Sequence, residues 1–312
     1  MNSKLLFMKK LKIKRKYIFL GEIDSINIEL IIKSFNFLKN KVNYILICNK
    51  KDLARSILFK KSNIKLNEIL DPLNFINYKK NKLNIFNIED ISKKKHINLL
   101  NQIEISNNIA NSTKFDLITM PINKFVFKKK IKFVGMTEYL GSLNQLPTQM
   151  LMYGEKFSII PMTTHINIKN INKYINSKFI NNFLKNTLNN INKPQYSLNF
   201  KSIKFLCYNP HCGEKGTLGE EDIFIKSALT KHKIINGPYS GDSAFMKIKK
   251  NTLFISTYHD QALIPFKILN KKKINITLGL KFRRLSPAHG TAKDIKGKNQ
   301  ADNASYLACL LI

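Results

Sequence analysis

Acidic side chains are scarce in this chain: 20 Asp and Glu stand against 53 Lys and Arg over 312 residues, a formal net charge of +33. On its face that balance points to a polyanionic partner. Arginine is scarcer still, at Arg15, Arg55, Arg283 and Arg284, so the excess is almost all lysine, scattered among Ile and Asn without interleaved aromatics. Lys, Asn and Ile share AT-rich codons, and a mutational bias explains the excess without specific nucleic-acid binding. Glycine (12) and proline (9) are sparse and no heptad repeat is sustained, which excludes collagen-like and long coiled-coil chains. Cys48, Cys207, Cys212 and Cys309 form no CxxC pair and no disulfide framework, so a reducing compartment and a cytoplasmic location are expected. No apolar run approaches the roughly 18 residues of a membrane span, and a soluble protein without membrane contacts is expected. The first twenty residues, MNSKLLFMKKLKIKRKYIFL, are basic, but Leu5 to Met8 is too short for a signal-peptide core and no small-residue cleavage site follows. A transit peptide is the alternative left open there.

What is present suffices for a large α/β unit or two lobes: 44% of the residues are hydrophobic. Short apolar runs at Tyr17 to Leu20, Tyr44 to Cys48, Leu117 to Met120, Ser158 to Met162, Ile203 to Tyr208 and Leu253 to Thr257 alternate with helical stretches. That alternation predicts a largely parallel α/β sheet with its ligands at the carboxyl ends of the strands. Residues 62 to 112 and 166 to 204 are low in complexity and read as scaffold. Eight of the twelve glycines and four of the six histidines follow residue 206, which concentrates the chemistry there.

Three strand ends carry histidine. Asn209 to Asp222, NPHCGEKGTLGEED, holds His211 in a glycine loop whose Glu220, Glu221 and Asp222 suit the first turn of a helix. His165 ends Thr163-Thr164-His165, and His259 lies in Thr257-Tyr258-His259-Asp260-Gln261. Each alone reads as structural. Three in equivalent places can offer imidazole nitrogens to a divalent metal. Asp242 and Asp260 are the neighbouring carboxylates, able to orient a ligand, move a proton or cap a turn. Asn275 to Asn303 combines Arg283 and Arg284, apt for gripping phosphate or carboxylate, with His289-Gly290-Thr291-Ala292 and Asp294, an acid able to accept from ribose hydroxyls. A surface loop before the last helix is its other reading. Met120-Pro121-Ile122-Asn123-Lys124 sets Lys124 beyond a strand, within reach of an anionic substrate.

With PINK, TEYL, TTH, NPHCGEKGTLGEED, GPYSGD, YHDQALIPFK, NITLGL and HGTA in order over roughly residues 115 to 312, the sequence resembles the 4-hydroxythreonine-4-phosphate dehydrogenase family. HGTAKDIKGKNQADN is more distantly similar to the cofactor loop of isocitrate and isopropylmalate dehydrogenases. The resemblance implies a two-lobed α/β/α subunit of that fold class, with lobes of roughly 1–125 plus 270–312 and 126–269, in a homodimer with the metal site at its interface. It implies His165, His211 and His259 as ligands of a zinc, cobalt or magnesium ion. Thr137, Lys267, Asn275 and Arg284 would bind substrate, and His289, Gly290, Thr291, Ala292 and Asp294 would bind NAD or NADP. Asp242, Asp260 and Lys124 are the candidate catalytic groups. The implied reaction is NAD-dependent oxidation of 4-phosphohydroxy-L-threonine, then decarboxylation to 3-amino-2-oxopropyl phosphate, in pyridoxine 5'-phosphate synthesis. Another phosphorylated hydroxy acid, or a non-catalytic binding role on the same scaffold, are the alternatives. The chain departs from the family pattern at Met136, where histidine is usual, at Met120, where glycine is usual, and at Gly21 to Asn27, which lacks the family's proline and later glycines.

Overall fold

Runs rich in β-branched and aromatic residues, buried on both faces, can persist only inside a sheet covered by helices. The computed structural model, which describes residues 15–128, 130–131 and 133–312, has that architecture; positions 1–14 of the basic N-terminal stretch lie outside the described residues. The strands are β1 (Arg15–Phe19), β2 (Asn43–Cys48), β3 (Leu66–Glu68), β4 (Leu83–Asn87), β5 (Asp116–Thr119), β6 (Gln149–Gly154), β7 (Ser158–Pro161), β8 (Ser202–Leu206), β9 (Ile235–Tyr239), β10 (Thr252–Ser256), β11 (Lys273–Leu278) and β12 (Arg284–Pro287). Among the described residues they form one sheet of order β3-β4-β2-β1-β5-β12-β11-β6-β7-β10-β8-β9. Pairing is parallel except around β11, antiparallel to both β12 and β6, and between β6 and β7. The α/β, largely parallel expectation is borne out.

The helices are α1 (Asn27–Leu38), α2 (Lys50–Arg55), α3 (Ile57–Lys60), α4 (Lys95–Thr113), α5 (Met136–Asn144), α6 (Ser177–Ile191), α7 (Glu221–Leu229), α8 (His259–Leu269) and α9 (Ala304–Leu311). Side chains cap the starts of three of them: Asn49 accepts from the Lys51 amide at α2, Ser56 from the Phe59 amide at α3, and Asn176 from the Phe179 amide at α6. None of the helices is long and apolar enough to cross a membrane among the described residues.

The first part of the Asn275 to Asn303 segment is not the surface loop of the alternative reading, although residues 290–300 are a largely exposed loop before α9. Ile276, Leu278, Leu280, Phe282 and Leu285 are fully buried, so this stretch forms the centre of the sheet. There the antiparallel β11 brings Asn275 and Thr277 beside the carboxyl end of β5 and the start of α5.

Candidate active site

Two hydrogen-bonded staples align the strand ends. Asp222, in the first turn of α7, accepts from the Tyr208 and Asn209 amides at 2.7 and 2.9 Å. It closes the loop after β8 back on the helix. Gln261 on α8 accepts from the Thr257 amide at 2.8 Å and donates to the Cys207 carbonyl at 2.8 Å, tying the ends of β10 and β8 together. Between the staples, His211 to Lys215 run through left-handed backbone, with φ of 51, 58, 73, 43 and 63°. Gly213 is required in that run, since a Cβ there would sit 2.8 Å from the Gly219 carbonyl oxygen.

A cavity of about 350 Å³ opens where β5, α5, β11 and β12 meet. Lys124, Thr137, His165, Lys267, Asn275, Arg284, His289 and Gly290 all line it, so most of the site residues expected from the sequence are brought together. Met120, Met136, Met150 and Met152 line it too, making one side apolar. Both of the methionine departures therefore face the cavity. Thr291, Ala292 and Asp294 follow in the adjoining turn, where Asp294 is exposed.

The cavity's polar groups have spare bonding capacity. Glu138 Oε2, Asn275 Oδ1 and His289 Nε2 are buried without a hydrogen-bond partner. His289 Nδ1 donates to the Gly290 carbonyl at 2.9 Å, and burial lowers its pKa, so the imidazole is neutral and Nε2 is an acceptor. Burial pushes the Glu138 carboxyl up, but hydrogen bonds from His165, its own amide and Thr164 outweigh that and hold it at about 2. Arg284 is 3% exposed; its N–H groups meet the hydroxyls of Thr119, Thr137 and Thr277, and burial lowers its pKa to about 10. Arg283 does something different from what its sequence suggested: its guanidinium grips Asp116 at 2.9 and 2.6 Å, away from the cavity.

The rings of His165 and His259 lie 5.6 Å apart. Each presents Nδ1 to a carboxylate, Glu138 at 3.2 Å and Asp260 at 2.6 Å, which leaves Nε2 for a ligand bond. This pair suits a divalent cation. His211 lines a second cavity of about 760 Å³ with Asp242 and Asp260, and the described residues hold no group of three His, Cys, Asp or Glu side chains close enough to bind a metal within one chain. Asp242 accepts from the Ser240 hydroxyl at 2.5 Å, the main cause of its lowered pKa.

Glu138, Thr119 and Thr277 are the site residues that sequence reasoning passed over. Glu138 follows Thr137 directly and was legible as an acid in the first turn of a helix. The two threonines carry no sequence signal beyond their place at strand ends.

The family profile described as pyridoxal phosphate biosynthetic protein PdxA matches residues 40–312. A 4-hydroxythreonine-4-phosphate dehydrogenase of Aquifex aeolicus is 32% identical over 317 residues, covering 95% of this chain and 96% of that protein. One from Hydrogenobaculum is 41% identical over 200 residues, 62% of this chain and 64% of that protein. The crystal structure of the Klebsiella pneumoniae enzyme of that name matches the fold with a TM-score of 0.78 at 24% identity, covering 96% of this chain and 97% of that one.

Proposed function

The chain belongs to the pyridoxal phosphate biosynthetic protein PdxA family, and we propose that it is a 4-hydroxythreonine-4-phosphate dehydrogenase, acting in vitamin B6 synthesis. The observation that carries this reading is the pairing, in one cavity, of three cations, Arg284, Lys267 and Lys124, with three unpartnered acceptors. Such a lining suits a small ligand bearing both anions and donors. 4-Phosphohydroxy-L-threonine has a phosphate, a carboxylate, an ammonium and a hydroxyl.

In this reading Arg284 and Lys267 hold the two anionic ends. Asn275 Oδ1 and Glu138 Oε2 accept from the ammonium group. Thr137 adds a hydroxyl contact, and the methionine wall excludes water from the reacting carbon. Lys124, whose Nζ donates to the Val134 carbonyl at 3.1 Å, stands at the rim to return a proton once carbon dioxide has left. Asp260 fixes the His259 ring, and Asp242, which shares a cavity with His211, would orient that histidine. His289 and Gly290, with Thr291, Ala292 and Asp294, would receive NAD or NADP; a Cβ at Gly290 would meet nothing within 4 Å, so there is open space for a cofactor. Bound there, it would supply the acceptor for the hydride leaving C3. A divalent cation (zinc, cobalt or magnesium) held by His165, His259 and His211 would polarise the hydroxyl and ketone oxygens.

The homodimer belongs to the same proposal. Ile264 and Ile268 on α8 are 59% and 76% exposed and form an apolar lip on the cavity that His211 lines. Covering that lip with a second copy is how the ligand set, incomplete in one chain, would be closed. The two lobes, 1–125 plus 270–312 and 126–269, would meet along β11. We assign the lysine excess to composition, and the cytoplasm as location.

The test is NAD(P) reduction by purified protein with 4-phosphohydroxy-L-threonine and a panel of phosphorylated hydroxy acids, with and without a chelator. Turnover of the threonine derivative, abolished by chelation and restored by added metal, is expected. Preference for another panel member would replace the substrate. Full turnover by rigorously metal-free protein would remove the metal from the account.

A further inference from the structure

Arg284 is a buried cation with no carboxylate in contact; Glu138, on the same cavity, acts on it only across space. A guanidinium has five N–H donors and no acceptor. Nε and Nη2 both donate to Thr119 Oγ1, at 2.8 and 2.5 Å; Nη1 donates to Thr277 Oγ1 at 3.0 Å and, more weakly, to Thr137 Oγ1 at 3.4 Å. Thr137 and Thr277 are themselves 3.2 Å apart. Every acceptor is an uncharged hydroxyl, and the bonds leave one Nη2 hydrogen over. Thr119 closes β5, Thr137 lies in the first turn of α5 and Thr277 is on β11, so three separate elements fix the group. Among the described residues Arg284 forms no ion pair. Buried charges are ordinarily neutralised by a partner.

We infer that Thr119 and Thr277 are positioning residues: their hydroxyls hold the Arg284 guanidinium in place while leaving its charge unspent, so that an anionic group of the substrate is the partner that completes it. The inference rests on the proposed reading of this cavity as the substrate site. Threonine suits the task because its β-branched side chain has few rotamers. Its oxygen accepts from N–H without cancelling charge. A carboxylate in the same position would satisfy the same hydrogens and neutralise the cation, as Asp116 does for Arg283.

That contrast supplies the experiment. Thr119→Asp, Thr119→Val, Thr277→Val and Thr119→Ser would be compared with the parent by calorimetric titration with inorganic phosphate and, separately, with 4-phosphohydroxy-L-threonine, alongside thermal unfolding and steady-state kinetics. Thr119→Asp is expected to fold at least as stably as the parent yet bind both probes about tenfold more weakly or worse, with the loss in KM rather than kcat. The two valine variants should weaken binding similarly, and Thr119→Ser should restore it. A purely structural role would leave Thr119→Asp with the parent's affinity, and that result would overturn the inference. If the parent binds phosphate but not the threonine derivative, and Thr119→Asp weakens phosphate, the substrate reading fails and the positioning role stands. If the parent binds neither probe, both fall.

Discussion

Arg283 and Arg284 are adjacent in the chain, and the protein treats them in opposite ways. Successive residues of an extended strand point to opposite faces of the sheet. Arg283 turns toward Asp116, whose carboxylate also takes Lys16 at 2.8 Å, and this cluster ties β1 and β5 to the C-terminal helix through the Lys16 bond to the Cys309 carbonyl at 3.1 Å. Arg284 turns toward the cavity and meets only hydroxyls. On one face a carboxylate in direct contact shares its charge between two cations; on the other the cation's hydrogen-bond acceptors are all uncharged hydroxyls, and the Glu138 carboxylate acts on it without contact. Two arginines paired by their chemistry, of which the family resemblance singled out Arg284, thus separate into a fastener and, in the proposed reading, a group held for an anion.

The contrast can be broken most forcefully on the structural side. Asp116→Ala leaves two buried cations without their shared anion, and the expected cost is about 3 kcal/mol or more of stability, read from the denaturant midpoint, with turnover per folded molecule near that of the parent. Loss of turnover without loss of stability would reverse the assignment.

A smaller effect is expected from acid. Burial raises the Asp116 carboxyl, but the bonds from Arg283 and Lys16 win and lower it below its ordinary value. A carboxylate depressed in the folded state contributes stability above its unfolded pKa of about 3.9 and loses it as pH falls through the folded value. Unfolding temperature should therefore fall below about pH 4 more steeply in the parent than in Asp116→Ala. Parallel curves would contradict the pairing.

About half of the strands were legible in the sequence. Six apolar runs became β1, β2, β5, β7, β8 and β10, because β-branched density marks strands buried on both faces. β9, INGPY, hid behind a Gly-Pro pair that ordinarily marks a turn, and β6, QMLMYG, is built on methionine rather than β-branched residues. β11 and β12 were hidden inside motifs read for their binding residues, with a surface loop as the other reading. The site was legible through motif order, which brought Lys124, Thr137, His165, Lys267, Asn275, Arg284 and His289 to one cavity. What no one-dimensional reading could supply was the partner of each charge. The roles of Arg283, Thr119 and Thr277 follow from contacts across the sheet.

The smallest effect sharpens the functional side. Met136 is buried, lines the cavity and stands where the family pattern has histidine. Met136→His restores a donor on the apolar wall, and kcat/KM for 4-phosphohydroxy-L-threonine should rise roughly tenfold, equivalent to ~1.4 kcal/mol. An unchanged value across the whole substrate panel would show that the wall does not contact the reacting molecule.

The most direct test of the central claim, that Arg284 is kept for an anionic substrate rather than for the fold, is to measure thermal stability and kcat/KM together for Arg284→Met. Removing a buried cation that has no carboxylate in contact should leave the unfolding temperature equal or higher while kcat/KM falls about 100-fold or more. A drop in stability as large as that of Asp116→Ala, with catalytic efficiency retained, would contradict the account.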